Sequence, residues 1–253
     1  MELRTVLDTD FEEILKFIDK IPNLHKKNRR RLRIFFEAIA YINRTGCQWR
    51  LLPTYYGSWR AVHKRFTEWS KRNIWEGLFK WAQKDPDMSE VMADSTVIRA
   101  HACAAGYRSG KEAQNKEALG RSKGGFSTKI HALTEALGLP LKFILTPGQR
   151  NDITQAKPLC SDVYDAIVNA DKAYDCDDFV ENLLSRNCTP NIPPRSNRKK
   201  PRKYDEDIYK ERSLIECFFG KIKHFRRISS RYDKSADSYL SFLNFTSVLI
   251  WLR

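Results

Sequence analysis

Apolar residues recur every three or four positions through residues 1–85, a spacing that predicts three to four short amphipathic helices. Asn28 begins one of these helices and Thr45-Gly46 ends it. A turn signal with Pro53 and Gly57 separates it from tryptophan-rich helical segments. Short helices joined by a tight turn predict a small all-α, helix-turn-helix-like domain over residues 1–85.

The pattern changes after Asp85-Pro86-Asp87, which is the predicted linker. Short apolar runs predict five strands, at 91–98, 128–134, 139–145, 166–170 and 189–192. Helical patterns lie between and after them, at 153–166, 178–185, from about Asp207 to Arg227, and from Ser238 onward. This order predicts an α/β domain over residues 86–253, in which a mixed five-stranded sheet has flanking helices.

The composition of the chain excludes several classes of protein. The chain has 253 residues, 42% of them hydrophobic, which excludes a disordered or low-complexity protein. It contains no run of 18 apolar residues and no N-terminal signal sequence, so we expect a cytoplasmic protein with no membrane partner. The formal net charge of +14 indicates a surface that binds a polyanion, with a soluble basic enzyme as the alternative.

Three clusters of basic residues are candidate phosphate contacts, and charge alone does not separate DNA from RNA or anionic lipid as the partner. The first cluster, at the start of the second helix, contains Lys26, Lys27, Arg29, Arg30, Arg31 and Arg33. The second contains Arg121 and Lys123, in a polar, glycine-rich segment (106–125) that we interpret as a mobile loop. The third follows the last predicted strand and contains Arg198, Lys199 and Lys200. Ordinary solvated helix faces are the alternative.

Two aspartates are candidate metal ligands because of where they lie. Asp94 interrupts an apolar strand, and Asp171 directly ends another. A carboxylate on a buried strand is costly unless a cation or hydrogen bonds compensate it, and Mg²⁺ prefers such oxygen ligands. A strand-end cap is the alternative for each. Asp175 lies four positions after Asp171 and could be confused with it, but Asp171 is preferred because it directly ends the apolar strand. Asp152 is interpreted as a helix cap.

The predicted helix from Asp207 carries a polar stripe. Tyr209, Arg212, Glu216 and Lys223 fall on one side of it, with apolar residues on the opposite and flanking arc. A simple surface pair between Arg212 and Glu216 is the alternative interpretation.

These residues resemble a known family in combination. Tyr209-x-x-Arg212-x-x-x-Glu216, followed by Lys223, resembles the signature around the last acidic residue of DDE transposases from bacterial insertion sequences, in insertion-sequence family five. Ala93-Asp94-Ser95-Thr96 and Ala170-Asp171-Lys172 resemble the blocks that carry the first two acidic residues. Segments 119–132 and 49–59 resemble the same group, so the resemblance covers nearly the whole chain.

The resemblance implies an RNase H-like catalytic domain. Asp94, Asp171 and Glu216 would then be the catalytic residues and would hold two Mg²⁺ ions, with Mn²⁺ as a substitute. Tyr209, Arg212 and Lys223 would contact phosphates or steady the carboxylate.

The implied function is that of a transposase, which hydrolyses phosphodiesters at transposon ends and transfers the strands into target DNA. Its implied partners are double-stranded DNA, as terminal inverted repeats and target, and a second copy in a homodimeric paired-end complex on the bacterial nucleoid. The helical domain over residues 1–85 would be the DNA-binding domain, with help from loops of the catalytic domain. Two alternatives remain open at this point. One is a DNA-binding regulator with an inactive nuclease fold, and the other is an RNase H-like nuclease without strand transfer.

Overall fold

The computed structural model describes residues 8–24, 26, 28–104, 116–122 and 124–253. The chain folds into two compact units. A helical unit comprises Met1–Lys84, His101–Ala104 and Ile222–Arg253. A sheet-containing unit comprises Asp85–Ala100 and Ala105–Lys221.

The α-helices of the described residues are α1 (Asp8–Ile18), α2 (Arg29–Thr45), α3 (Trp59–Lys71), α4 (Ile74–Ala82), α5 (Ile153–Leu159), α6 (Asp177–Leu184), α7 (Glu206–Lys210), α8 (Ser213–Lys223), α9 (Arg226–Ser229) and α10 (Ala236–Trp251). The strands are β1 (Glu90–Arg99), β2 (Gly120–Ser122), β3 (Gly125–Glu135), β4 (Pro140–Pro147), β5 (Ile167–Ala170) and β6 (Thr189–Asn191). Short 3₁₀ turns lie at Trp49–Leu51, Thr54–Tyr56, Ala102–Ala104 and Lys172–Tyr174.

Both ends of α2 are capped as its sequence predicts. The Asn28 side chain accepts a hydrogen bond from the backbone N–H of Arg31 at 2.9 Å. Gly46 follows the helix in the left-handed conformation, with φ at +67°, and its N–H donates to the Ile42 carbonyl. A Cβ at Gly46 would lie 3.0 Å from the Arg226 Cβ, so this position needs glycine for space as well as for conformation.

The core of the helical unit is a cluster of aromatic rings. Phe36, Trp69 and Trp75 are almost fully buried. The Phe36 and Trp75 rings lie 5.9 Å apart edge to face, and the Trp75 and Phe245 rings 5.5 Å apart. The Trp75 indole N–H donates to the Phe66 carbonyl, so its one polar atom is satisfied. These contacts join α2, α3, α4 and α10 around one centre.

The second unit is built on a mixed sheet whose main strand order is β4-β3-β1-β5-β6. β3 runs antiparallel to both β1 and β4, whereas β5 runs parallel to both β1 and β6. The hairpin between β3 and β4 turns at Gly138, where φ is +78°. The predicted mixed sheet with flanking helices is confirmed.

Helices cover both faces of this sheet. Val91 and Ala93 of β1 point into a core that also contains Leu159 of α5 and Phe179 of α6. Because side chains alternate along a strand, Asp94 lies on the opposite face. That face is covered in part by α8, whose Phe218 stacks with a phenylalanine ring of β4 at 5.9 Å.

The predicted long helix from Asp207 to Arg227 is wrong, because the segment forms three helices, α7, α8 and α9. In a continuous helix the Ile208 carbonyl would accept from the Arg212 N–H. Here it accepts from the Asn169 side chain at 2.7 Å and from the Glu211 N–H. The Arg212 N–H bonds the Tyr209 carbonyl instead, which tightens the turn between α7 and α8.

Two other elements differ from expectation. The helix predicted at 153–166 ends at Leu159, and the chain then passes through Asp165 in the left-handed conformation, with φ at +52°. The sheet has a sixth strand, β2, which lies within the segment interpreted as a loop. Arg121 of β2 pairs with Phe126 of β3. Residues 106–115 and 123 of that segment lie outside the described residues.

No helix in the described part of the chain is long and apolar enough to cross a membrane. The predicted domain boundary between residues 85 and 86 remains a prediction. The helical unit includes the C-terminal segment from Ile222 as well as the N-terminal helices.

Replacing Trp75 with alanine should lower the free energy of unfolding by about 3–5 kcal/mol, because a fully buried indole leaves a cavity among rings that cannot close over it. Urea unfolding followed by circular dichroism measures the change. The matched control is Leu51→Ala, since Leu51 is 66% exposed and should cost less than about 0.5 kcal/mol. Equal effects of the two substitutions would contradict the proposed core.

Candidate functional site

Asp94 lies on β1 just beyond the point where β1 stops pairing with β5. The last register pair of that ladder joins Ala93 to Ala170. The Asp94 side chain is 17% exposed, and its Oδ1 accepts the Ser95 backbone N–H at 2.7 Å. Burial raises the pKa of this carboxyl, and the charge of Asp171 adds to the effect, while Ser95 and Arg212 oppose it.

Asp171 occupies the equivalent place on the neighbouring strand. It follows Ala170 directly and begins the 3₁₀ turn Lys172–Tyr174, with its Oδ1 accepting the Ala173 N–H at 2.8 Å. Since parallel strands lie about 5 Å apart and end at the same edge, Asp94 and Asp171 are neighbours. Their mutual repulsion is one reason why the pKa of Asp94 is raised.

Arg212 connects Asp94 to the third predicted carboxylate. One guanidinium nitrogen donates to Asp94 Oδ2 at 2.6 Å, and the other bonds Glu216 Oε1. The guanidinium carbon lies 5.7 Å from the centre of the Tyr209 ring, which leaves Arg212 only 19% exposed. Arg212 is therefore more than a surface partner of Glu216, because its guanidinium also bonds Asp94 on β1, which is 118 residues away in sequence.

The fit to a divalent ion rests on three observations. Asp94 and Asp171 offer adjacent carboxylates, and a cationic group already bridges Asp94 and Glu216. The Tyr174 hydroxyl is buried and has no hydrogen-bond partner within the described residues. Burial raises its pKa, and the charges of the nearby aspartates raise it further. The set therefore suits a cation.

Glu216 does not complete a metal cluster in this arrangement. Among the described residues, no three His, Cys, Asp or Glu side chains lie together in a way that could hold one ion. Glu216 is 57% exposed and faces Arg212. Lys223, the last residue of α8, is exposed and belongs to the helical unit.

Asp152 was interpreted as a helix cap, but its side chain makes no capping bond to α5. Its Oδ1 accepts from the Ser95 hydroxyl at 2.7 Å and from the Lys129 ammonium at 2.9 Å. His131 lies 3.6 Å away, and burial lowers its pKa to about 4, so it is neutral at pH 7. Sequence spacing carries no signal for this network, because β1, β3 and the start of α5 meet only in the fold.

The first basic cluster mostly makes bonds within the chain. The Lys26 ammonium donates to the carbonyls of Asp19 and Ile21 at 2.6 and 2.8 Å, just beyond the end of α1. Arg29 pairs with both carboxylate oxygens of Asp19, and Arg33 pairs with Asp8 and Glu37. Arg30 is exposed, and Lys27 lies outside the described residues.

The third basic cluster is anchored by Asp175. This carboxylate is 2% exposed and accepts from Arg198 at 2.8 Å and from Arg202 at 2.7 Å. It also accepts the backbone N–H of Arg195. Lys199 and Lys200 are exposed beside it. Asp175 therefore has a structural partner set of its own, distinct from that of Asp171.

Two family models match the chain. Residues 6–79 match the "Putative transposase of IS4/5 family (DUF4096)", and residues 85–249 match the "Transposase DDE domain". The second match spans more than half of the chain. The chain belongs to the DDE transposase family, whose members are divalent-metal-dependent enzymes that cut and join DNA strands. The prediction of a DDE transposase of an insertion sequence is confirmed, and neither alternative function is favoured.

Individual relatives agree with the family. The "Putative transposase for insertion sequence element IS6501" of Brucella ovis is 39% identical over 129 residues, which are 50% of this chain and 99% of that protein. The "Putative transposase for insertion sequence element IS402" of Burkholderia cepacia is 30% identical over 135 residues, covering 49% of this chain and 62% of that protein.

Among solved structures, the piggyBac transposase synaptic complex with hairpin DNA is similar at a TM-score of 0.44 and 13% identity. The match covers 77% of this chain, which spans half of the piggyBac transposase chain.

Asp175 should stabilise the protein in a pH-dependent way. Burial opposes ionisation, but the Arg198 hydrogen bond, the Arg195 N–H and the Arg charges hold the pKa of Asp175 below its usual 3.8. A lowered pKa means that the stabilisation is fully present above pH 4 and is lost as the pH falls through the native value. We expect Asp175→Asn to lower the free energy of unfolding by about 2–3 kcal/mol at pH 7.

Urea unfolding at pH 7 and at several values below 4 measures this difference, which should shrink as the pH falls. The control is Asp178→Asn, since Asp178 is 76% exposed and pairs only at the surface with Lys157. A difference independent of pH would contradict the role of the Asp175 charge.

Proposed function

We propose that Asp94, Asp171 and Glu216 are the catalytic carboxylates of this transposase, which cuts phosphodiesters at transposon ends and joins the freed strand to target DNA. The observation that carries the proposal is the pairing of Ala93 with Ala170, after which both strands continue into an aspartate. Arg212, which bonds both Asp94 and Glu216, supports including Glu216 as the third carboxylate.

The residues that would hold divalent metal are Asp94, Asp171 and Glu216, and two Mg²⁺ ions, or Mn²⁺ in their place, would activate the attacking oxygen and neutralise the leaving oxygen. The protein itself supplies orientation. The N–H groups of Ser95 and Ala173 each bind one oxygen of Asp94 and Asp171, which orients the two carboxylates.

Arg212 has two tasks in this proposal. Without DNA it neutralises Asp94 and Glu216, which would otherwise repel each other. With DNA its planar fork suits two oxygens of a phosphate, so exchanging Glu216 for the substrate frees that carboxylate. Tyr209 packs against the guanidinium and limits its rotation.

Double-stranded DNA, as inverted repeats and target, is the proposed substrate. Arg30, Arg121, Lys199 and Lys200 are exposed and would contact its phosphates, while Arg198 would act by holding its segment in place. Lys223 would contribute a further phosphate contact. A homodimer holding two ends, located at the bacterial nucleoid, completes the proposal.

Asp94→Asn, Asp171→Asn and Glu216→Gln should each lower the rate of strand nicking in Mg²⁺ by about two orders of magnitude or more, because each removes a charge that the metal site requires. The assay uses a labelled duplex of the DNA that flanks the gene. Strand transfer is read separately as joining of a pre-cut end to a plasmid. The control is Asp162→Asn, an 83% exposed carboxylate. Nicking by Asp94→Asn at the wild-type rate would refute the assignment.

Arg212→Ala should make the protein more dependent on metal for stability, because the carboxylates lose their internal counter-charge. We expect Mg²⁺ to raise the melting temperature of Arg212→Ala by about 2–4 °C more than that of the wild type, equivalent to about 1 kcal/mol. Differential scanning fluorimetry with and without Mg²⁺ measures the shift. Arg60→Ala, which removes an exposed arginine beside Trp59, should behave like the wild type. Equal shifts in Arg212→Ala and the wild type would count against the counter-charge.

A further inference from the structure

The helical unit contains a groove between α2 and α3, and of its cationic residues only Arg31 belongs to a basic cluster of the sequence analysis. One cavity of about 650 Å³ is lined by cationic side chains, with Trp69 beneath them. Its cations are Arg31, Lys64, Arg65 and Arg72. A second cavity of about 450 Å³ lies next to the first and shares Arg31, Ala61 and Arg65 with it.

The spacing on α3 explains the groove. Ala61, Lys64, Arg65 and Glu68 recur at intervals of three and four, so they form one stripe along the helix, which Arg72 extends past its end. Alanine keeps the groove open at one end of this stripe. Arg31, from the first turn of α2, lines both cavities. Four cations and the single carboxylate of Glu68 give the groove a strongly positive potential.

The cationic side chains of the helical unit differ in whether they already form ion pairs or hydrogen bonds within the protein. Arg31 and Lys64 are exposed and make no ion pair with any described residue. Arg72 meets Glu68 only at 3.7 Å, with both side chains substantially exposed. By contrast, Lys26, Arg29 and Arg33 bond carbonyls or carboxylates within the chain. Arg31, Lys64 and Arg72 are therefore available to an outside anion.

The far end of the groove adds aromatic surface. Tyr55 is 53% exposed, and its ring lies 4.2 Å from that of the buried Tyr56. Arg65 lies over the rings of Phe35 and Trp69 at 4.9 and 5.3 Å, so it forms part of the floor. A row of cations beside exposed aromatic surface matches the phosphates and sugars of a nucleic acid backbone.

We propose that the α2–α3 groove binds the sugar-phosphate backbone of duplex DNA, with Arg31, Lys64 and Arg72 as the phosphate contacts. The groove contacts no particular base, so it binds DNA independently of sequence. This inference rests on the proposed function only in taking DNA as the partner, and it does not depend on the catalytic carboxylates.

The test measures DNA binding by the full-length chain without divalent metal, so that no cleavage occurs. Fluorescence anisotropy with labelled duplexes of two unrelated sequences is recorded over a range of salt concentrations. The test variant is Lys64→Ala/Arg72→Ala. The control is Lys16→Ala/Lys80→Ala, which removes the same charge from side chains that are 62% and 69% exposed on α1 and α4.

We expect the test variant to bind both duplexes about tenfold or more weakly than the control, and equally so. The slope of log K against log salt should fall by about 2, since each lost phosphate contact removes about 0.9. Equal affinities and slopes for the two variants would overturn the proposal, as would tighter binding of single-stranded DNA than of duplex.

Two further measurements keep the result decisive. Lys64→Gln/Arg72→Gln, which preserves most of the side-chain volume, should reproduce the loss, and a melting temperature equal to that of the control shows that the fold is intact. If Asp94→Asn cuts DNA normally while the groove variant loses binding, the catalytic assignment fails and the groove stands.

Discussion

The sheet-containing unit depends on the parallel pairing of β1 with β5 and on where that pairing stops. The ladder ends at Ala93 and Ala170, and each strand continues into an aspartate. Two carboxylates are thereby held side by side, and burial together with the charge of Asp171 raises the pKa of Asp94. The hydrogen bonds from Ser95 and Ala173 and the charge of Arg212 offset part of that cost.

Arg212 occupies its place because the helix is interrupted beside it. Asn169 on β5 takes the Ile208 carbonyl, so the chain turns tightly between α7 and α8. That turn brings the guanidinium to both Asp94 and Glu216. Asn169 is buried on β5, two residues before Asp171. It thus links the strand before Asp171 to Arg212, which bonds Asp94 and Glu216.

The net charge of the chain does not identify which basic side chains contact DNA. Some basic side chains stabilise the protein internally, as Lys26 does at the end of α1 and Arg198 does with the buried Asp175. Others, such as Lys64 and Arg31, make no ion pair within the described residues. Cations of this second kind suit a binding surface because a phosphate displaces no internal anion from them.

The sequence by itself determined the positions of nearly all helices and strands, because periodicity reports which face is buried, and the family blocks around Asp94, Asp171 and Glu216 identified the class of enzyme. Only the tertiary structure decided where the helix after Asp207 breaks, since Asn169 acts from another strand.

The same holds for Asp152, Asp175 and the α2–α3 groove. Asp152 bonds Ser95 and Lys129 rather than its own helix, and Asp175 bonds Arg198 and Arg202. Such pairings join residues that are distant in the chain, and no local pattern encodes them. Hydrophobic spacing fixes the elements, whereas the choice of partner for each charge depends on which elements the fold brings within a few ångströms.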